Sequence, residues 1–347
     1  MLKVAVAGTG LIATRKHLPA WKRVSGQAEV VALCDINQEQ AAKIAGQFGI
    51  PKSYTDVGEM LEKERPDVVD ICTPPRTHAP LSIQCLEGQA HVLIEKPMAT
   101  SLEECDAIIA TAEANDRRIC MAHSDLFYPS VLKARQMIEA GRIGAFRGMH
   151  IFLSTPTDYI TSKENHWANK LPGGVIGETG PHIVYLTLAF INPIEKVYVQ
   201  GKKLLPEYRW SPFEDYRVIL SGRDAVSSTV LTYGSKHWAA EIQFWGTDGI
   251  LRADMETQAL VVHRRTALTA KDAALSTVSQ AGALLGGMVG SGLALVTGHQ
   301  QSTHARLIRQ FIDSLTRGAE PPVTAQQGRE SIRVMSLIAQ QLERDSG

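Results

Sequence analysis

The chain reads as two domains: an α/β domain built on a doubly wound parallel sheet, followed by an α+β domain with a mainly antiparallel sheet. Three observations predict this. Up to about residue 123, short apolar strands alternate with helical patterns through brief connections, the order of a parallel sheet with right-handed crossovers. The first strand, Val4 to Ala7, runs straight into a glycine-rich turn and then a helix. After residue 123, strand-like segments follow one another across tight turns such as Ser221-Gly222-Arg223-Asp224 and Gly246-Thr247-Asp248-Gly249, as in an antiparallel meander.

Strands are predicted at 2–7, 30–34, 68–72, 91–94 and 119–122, with helices at 12–25, 38–48, 56–64, 77–88 and 101–115. Continuous apolar runs such as Val68-Val69-Asp70-Ile71-Cys72 suit strands covered on both faces. In the second part a helix over 130–139 ends at Gly141, and strands are predicted at 145–154, 194–202, 214–221, 225–233, 238–246, 249–254 and 258–264. Two helices, 302–317 and 326–344, flank the turn Gly318-Ala319-Glu320-Pro321-Pro322. The domain boundaries are set at 1–123 and 124–347. No internal repeat is visible.

The turn after the first strand is Gly8-Thr9-Gly10-Leu11-Ile12-Ala13, a G-x-G-x-x-A pattern. Gly8 permits the tight turn, Gly10 permits close approach of a pyrophosphate, and Ala13 lets the helix pack against the strand. The helix N-terminus then offers N–H groups to phosphate. The second strand ends in Asp35, about 20 residues beyond the glycines, where a carboxylate accepts bonds from an adenosine ribose. The same Asp35-Ile36-Asn37 run is also suited to cap the helix that starts near Gln38. Asp35 repels a 2′-phosphate and Ile36-Asn37 offers no arginine, so NAD is expected over NADP.

Ligands of such sheets bind beyond the carboxyl ends of the strands. Beyond the third predicted strand lies Thr73-Pro74-Pro75-Arg76-Thr77-His78, either a loop along the cofactor or a rigid turn carrying a surface histidine. The fourth ends in Glu95-Lys96-Pro97, the best candidate for chemistry: an ammonium at the mouth of the sheet, its main chain restricted by the following proline. A Glu95–Lys96 surface pair is the plain alternative. In the second domain, Gly173-Gly174-Val175-Ile176-Gly177-Glu178-Thr179-Gly180-Pro181-His182 offers His182 for proton exchange, with Glu178 four residues earlier. A helix is expected to begin near Pro181. His166, Trp167, Asn169 and Lys170 are candidates for a substrate wall, Trp167 either stacking on a sugar face or serving as plain packing.

Composition excludes several classes. Lysine plus arginine number 36 and aspartate plus glutamate 36, so no net charge points to nucleic acid or an anionic membrane. The 347 residues are too many for one typical core. No signal-peptide pattern precedes the first strand. The five cysteines, Cys34, Cys72, Cys85, Cys105 and Cys120, form no C-x-x-C pair and are read as reduced, in a cytoplasmic protein without a metal site. Residues 273–298 carry no charge but hold six glycines (282, 286, 287, 290, 292 and 298). They are read as a buried or subunit-interface helix rather than an integral span, with membrane-surface contact as the lesser reading.

Taken together, Gly8-Thr9-Gly10-Leu11-Ile12-Ala13 with His17, Cys34-Asp35, Thr73-Pro74-Pro75 with His78, and Glu95-Lys96-Pro97 resemble the Gfo/Idh/MocA family (glucose-fructose oxidoreductase/inositol dehydrogenase-like) over nearly the whole chain. The resemblance implies an N-terminal Rossmann domain that binds NAD or NADP and a second domain with an open, mainly antiparallel sheet often used for oligomerisation, here a homodimer or homotetramer. It implies hydride transfer between the cofactor and a hydroxyl/carbonyl carbon of a sugar, inositol or sugar-nucleotide-like substrate. It also implies that Lys96 contacts the reacting oxygen and that His182 exchanges the proton. Cofactor contacts are expected from Gly8, Thr9, Gly10, Leu11, Ile12, Asp35, Thr73, Pro74, Pro75, His78, Glu95 and Lys96. Substrate contacts are expected from Lys96, Trp167, Glu178 and His182, in a cleft between the domains.

The family often has D-x-G-x-H-x-x-D where this chain has Glu178-Thr179-Gly180-Pro181-His182-Ile183-Val184-Tyr185. Tyr185 supplies no anion at neutral pH. The family's usual arginine before Phe-x-Pro is replaced by Leu126 ahead of Phe127-Tyr128-Pro129. Two alternatives therefore stand beside the dehydrogenase: an NAD-binding regulator without turnover, and a peripheral membrane enzyme acting on a lipid-linked sugar.

Overall fold

Six parallel strands make the first sheet: β1 (Leu2–Ala7), β2 (Ala28–Cys34), β3 (Lys52–Tyr54), β4 (Val68–Ile71), β5 (His91–Ile94) and β6 (Ile119–Met121). In this computed structural model, which describes residues 1–263, 267, 269–296 and 302–345, they lie in the order β3-β2-β1-β4-β5-β6. That is the doubly wound order, whose direction reverses between β1 and β4. Val4, Val6, Leu33, Ile71, Leu93 and Ile94 are fully buried, as strands covered on both faces require. β3 is the one strand the sequence reading lacks. Only its three residues pair with Ala32–Cys34, too few to register as a period.

Helices α1 (Leu18–Lys22), α2 (Gln38–Phe48), α3 (Val57–Glu64), α4 (His78–Glu87) and α5 (Leu102–Ala114) connect the strands. The helix expected over 12–25 is shorter and opens with a π-helical turn, Ala13–His17. Local chemistry sets several ends. Asn37 caps α2 by accepting the Gln40 N–H, Asp56 caps α3 and Ser101 caps α5. α2 stops at Gly49, which takes the left-handed conformation at φ 70°. Gly8 is constrained twice: its φ is +94°, and a Cβ there would lie 2.8 Å from the carbonyl carbon of Cys72. The turn after β1 thus abuts the end of β4 at the point where strand order reverses.

The second sheet has seven strands: β7 (Phe146–Ser154), β8 (Lys196–Lys202), β9 (Asp215–Ser221), β10 (Val226–Thr232), β11 (Ala239–Gly246), β12 (Ile250–Asp254) and β13 (Leu260–His263). All seven match predicted segments, although residue 264 lies outside the described residues. Their arrangement corrects the meander. The order is β13-β12-β11-β7-β10-β9-β8, and β7 pairs with β10 in parallel. A period-2 pattern tells which face a side chain takes but not which strand lies alongside. Tyr216, Val218 and Leu220 point inward from β9, whereas Ile219 between them is exposed.

Helices α6 (Pro129–Glu139), α7 (Ile176–Leu188) and α8 (Ala270–Val296) belong to this unit. α7 begins five residues before Pro181 and continues through it. Proline removes one intrahelical bond there, while Ile183, Val184, Tyr185 and Leu186 anchor the helix in the core. Over 273–287 the buried alternative does not hold in this chain, which leaves the subunit-interface one: Leu275, Val278 and Leu285 on α8 are 60%, 70% and 62% exposed. Residues 297 and 298 lie outside the described residues. Among the described residues no helix is long and apolar enough to cross a membrane.

α9 (Thr303–Arg317) and α10 (Ala325–Asp345) complete the chain. The division falls into Met1–Ser124 with Gln301–Arg333, and Asp125–Gln300 with Val334–Gly347. The second unit is therefore not the continuous stretch 124–347. α9, capped by Ser302 and closed by Gly318, buries Leu307, Ile308, Phe311 and Ile312 and packs on α1 in the first unit. Its apolar stripe needs a partner, and α1 provides it.

Candidate active site

In the first unit, the elements around β1 and β2 bring three predicted residues together. Thr9 is buried and donates both its main-chain N–H and its hydroxyl to Asp35 Oδ2, each at 2.8 Å. The Asn37 N–H donates to Asp35 Oδ1 at 3.0 Å. Partial burial pushes the Asp35 carboxyl up, but these donors outweigh it and hold the group below its ordinary value. The capping alternative for Asp35 falls to Asn37, so Asp35 is held as an anion with lone pairs to spare. Gly10 is exposed, with no heavy atom within 4 Å of where a Cβ would stand. Leu11 is exposed beside it. An open glycine, a helix start and a fixed carboxylate at the end of β2 fit a dinucleotide's pyrophosphate and ribose.

Beyond β4, Thr73-Pro74-Pro75 forms a loop that turns into α4. His78 was expected at the cofactor as part of this loop, or else at the surface. Instead it is fully buried, with Nε2 2.8 Å from the Thr73 carbonyl and Nδ1 2.7 Å from the Pro97 carbonyl. Burial pushes its pKa down against the pull of these two oxygens. The ring ties the loop after β4 to the loop after β5. Glu95 likewise turns inward and is buried. Its Oε1 lies 2.8 Å from His17 Nε2, and its Oε2 accepts the Lys96 N–H at 2.9 Å. Lys96 itself is half-buried at the carboxyl end of β5.

In the second unit, Glu178 and His182 are one helical turn apart on α7, hence on one face. His182 Nδ1 lies 2.7 Å from Asp125 Oδ2 and 2.8 Å from the Tyr185 hydroxyl. A carboxylate there favours the tautomer with hydrogen on Nδ1, which leaves the Nε2 lone pair to take a proton. Tyr185 replaces the family's second aspartate, and Asp125 brings the anion instead. Sequence reasoning missed Asp125, whose one signal is its place just before Leu126-Phe127-Tyr128-Pro129. Glu178 is near enough to His166 to raise its pKa, although burial and Lys163 lower it further. Trp167 is 48% exposed at the start of a 3-10 turn and its ring stacks with His166 at 5.6 Å.

Comparison with known proteins adds the following. Residues 2–123 match the model described as oxidoreductase family, NAD-binding Rossmann fold. Residues 131–252 match the GFO/IDH/MocA C-terminal domain, and together the two matches cover more than half of the chain. A 4-carboxy-2-hydroxymuconate-6-semialdehyde dehydrogenase from Sphingobium is 32% identical over 142 residues, 41% of this chain and 44% of that protein. A D-apiose dehydrogenase from Paraburkholderia graminis is 23% identical over 97% of this chain and 85% of its own length. Among solved structures, the WlbA dehydrogenase from Bordetella pertussis, in complex with NADH and UDP-GlcNAcA, superposes with a TM-score of 0.78 at 20% identity, covering 99% of this chain and 96% of that one.

Proposed function

The chain belongs to the GFO/IDH/MocA oxidoreductase family, with an NAD-binding Rossmann unit, and we propose that it transfers hydride between NAD(H) and a hydroxyl-bearing or carbonyl carbon of a sugar, inositol or sugar-nucleotide-like substrate. The observation that carries this reading is Lys96. It follows β5 at the carboxyl edge of the sheet, two strands from the glycine turn, with its main chain held by Glu95. The cofactor supplies hydride exchange at the nicotinamide. Lys96 donates to the reacting oxygen and stabilises charge that develops there. His182 takes the hydroxyl proton at Nε2 in oxidation and returns it in reduction, while Asp125 holds the ring and stabilises the imidazolium. Glu178 and Trp167 contact substrate hydroxyls and a sugar face.

The relatives named above support this class: one is a D-apiose dehydrogenase, and a dehydrogenase of the same fold is solved with NADH and UDP-GlcNAcA bound. The experiment is a panel of polyols, sugars and nucleotide sugars with NAD, read by NADH absorbance. Turnover of at least one member is expected. Cofactor binding without turnover of any substrate favours the regulatory alternative, and turnover confined to lipid-linked sugars favours the membrane one.

Asp35 sets the cofactor preference. Its carboxylate accepts from the ribose hydroxyls and repels a 2′-phosphate, and Ile36 beside it, 95% exposed, offers an apolar surface to the adenine. Asp35→Ala is expected to weaken NAD binding about tenfold to a hundredfold, the range for a hydrogen bond to a charged group. NADP binding stays level or improves. Titration calorimetry with both cofactors checks this, and tighter NADP binding by the unaltered protein overturns it.

Five buried free thiols accord with a cytoplasmic protein. Tyr198, Ile219, Val226 and Ile250, exposed on the second sheet, provide a face for a homodimer or homotetramer.

A further inference from the structure

A buried polar cluster at the carboxyl ends of β4 and β5 surrounds the Glu95 carboxylate that holds the Lys96 main chain. His17 is fully buried with each ring nitrogen facing a different carboxylate: Nδ1 is 2.8 Å from Asp70 Oδ2, and Nε2 is 2.8 Å from Glu95 Oε1. Trp21 donates its indole N–H to the same Asp70 oxygen at 2.7 Å. A neutral imidazole has one N–H and bonds only one of the two carboxylates, whereas the cation bonds both. Burial opposes that cation, yet the Asp70 charge prevails and keeps His17 protonated well above the ordinary histidine range.

Two carboxylates against one imidazolium leave an excess of negative charge. His304, in the first turn of α9, faces it. Its Nε2 is 3.7 Å from Glu95 Oε1, and its ring meets His17 edge-on at 4.9 Å between centroids. Burial alone raises the Glu95 carboxyl, but His17 and His304 hold it well below the usual carboxylate range. Glu95 Oε1 is therefore hydrogen-bonded to His17 and lies within ion-pair distance of His304, while Oε2 accepts the Lys96 N–H.

We propose that His17 and His304 are positioning residues that clamp Glu95, so that α9, contributed from the far end of the chain, sets where the Lys96 ammonium is presented. This rests on the reading of Lys96 as the group that meets the reacting oxygen. Misplacement of a reacting group by about 1 Å costs on the order of a hundredfold in rate. The decisive pair is His304→Leu, which removes the polar ring facing Glu95 Oε1, and His304→Gln, which keeps an amide N–H there.

His304→Leu is expected to lose about tenfold to a hundredfold in kcat with unchanged NAD affinity, and His304→Gln to regain most of the loss. Crystal structures of both variants without cofactor supply a readout independent of turnover. The Lys96 main chain is displaced in His304→Leu and returns in His304→Gln. Wild-type kcat in His304→Leu overturns the clamp, as does equal loss in both variants with Lys96 unmoved, which marks a merely structural role. His17, Glu95 and His304 also lie close enough to hold a metal ion. One tightly held divalent ion per chain by elemental analysis overturns the clamp as well. Lys96→Ala measured in parallel separates the two layers: if that variant turns over normally, the reading of Lys96 fails and not the clamp alone.

Discussion

Lys96→Ala is expected to lower kcat by about 10²- to 10⁴-fold, the range for a positioned proton donor or oxyanion-type stabiliser, while NAD binds nearly as before. The asymmetry follows from where the two tasks sit. In the proposed reading, pyrophosphate and ribose recognition belongs to Gly8, Gly10, the helix start and Asp35, where Thr9 fixes the carboxylate and Gly10 stands open. Lys96 lies beyond β5, and its main chain is held by the Glu95 carboxylate, which truncation of the lysine side chain leaves in place. The loss should therefore fall on turnover and leave the cofactor dissociation constant almost level. Lys96→Arg is a sharper control. It keeps the charge, but a planar guanidinium presents its donors in a different geometry and does not give up a proton, so it should not restore the rate. Steady-state kinetics beside calorimetric NAD binding distinguishes these outcomes. Full activity in Lys96→Ala contradicts the assignment of this lysine and removes the main support for the proposed chemistry.

Much of the first unit was legible because its signals are local. The glycine turn, Asp35 and the strand ends each announce themselves within a few residues, and the α2 limits follow from Asn37 and Gly49. What escaped depends on contacts between distant positions. Asp125 and His182 are 57 residues apart, His17 and Asp70 53, His17 and Glu95 78. No period or spacing relates them. For the same reason the inward turn of His78 and Glu95 was hidden: a polar residue after a strand reads as pointing outward until its partners are seen. The insertion of β7 between β10 and β11 is a matter of pairing, which alternation does not encode. α8 left a choice of another kind. Absence of charge fits a buried or a subunit-interface helix alike, and Leu275, Val278, Leu284 and Leu285 stand exposed on this chain, which removes the first of these, since apolar residues do occur on surfaces.

His17→Leu should carry the largest cost in stability, about 3–5 kcal/mol, because it leaves the Asp70 and Glu95 carboxylates in the interior without the cation they share. Leucine fills similar space, so lost packing is the smaller part. The pH dependence identifies the cause. His17 has a folded pKa raised above its unfolded value of 6.5, so its contribution is complete below that pH and fades as pH rises through the folded value. Glu95 has a folded pKa depressed below its unfolded value of 4.5, so its contribution is complete above that pH and is lost as pH falls through the folded value. The gap between the unaltered protein and the variant should then be widest between pH 4.5 and 6.5 and narrow toward alkaline pH. Urea unfolding across that range measures it. A variant too unstable to purify leaves the test intact, since the unaltered protein must itself lose stability as pH rises through the folded pKa of His17. A flat profile with an unchanged midpoint in His17→Leu means the ring is neutral and holds only one carboxylate.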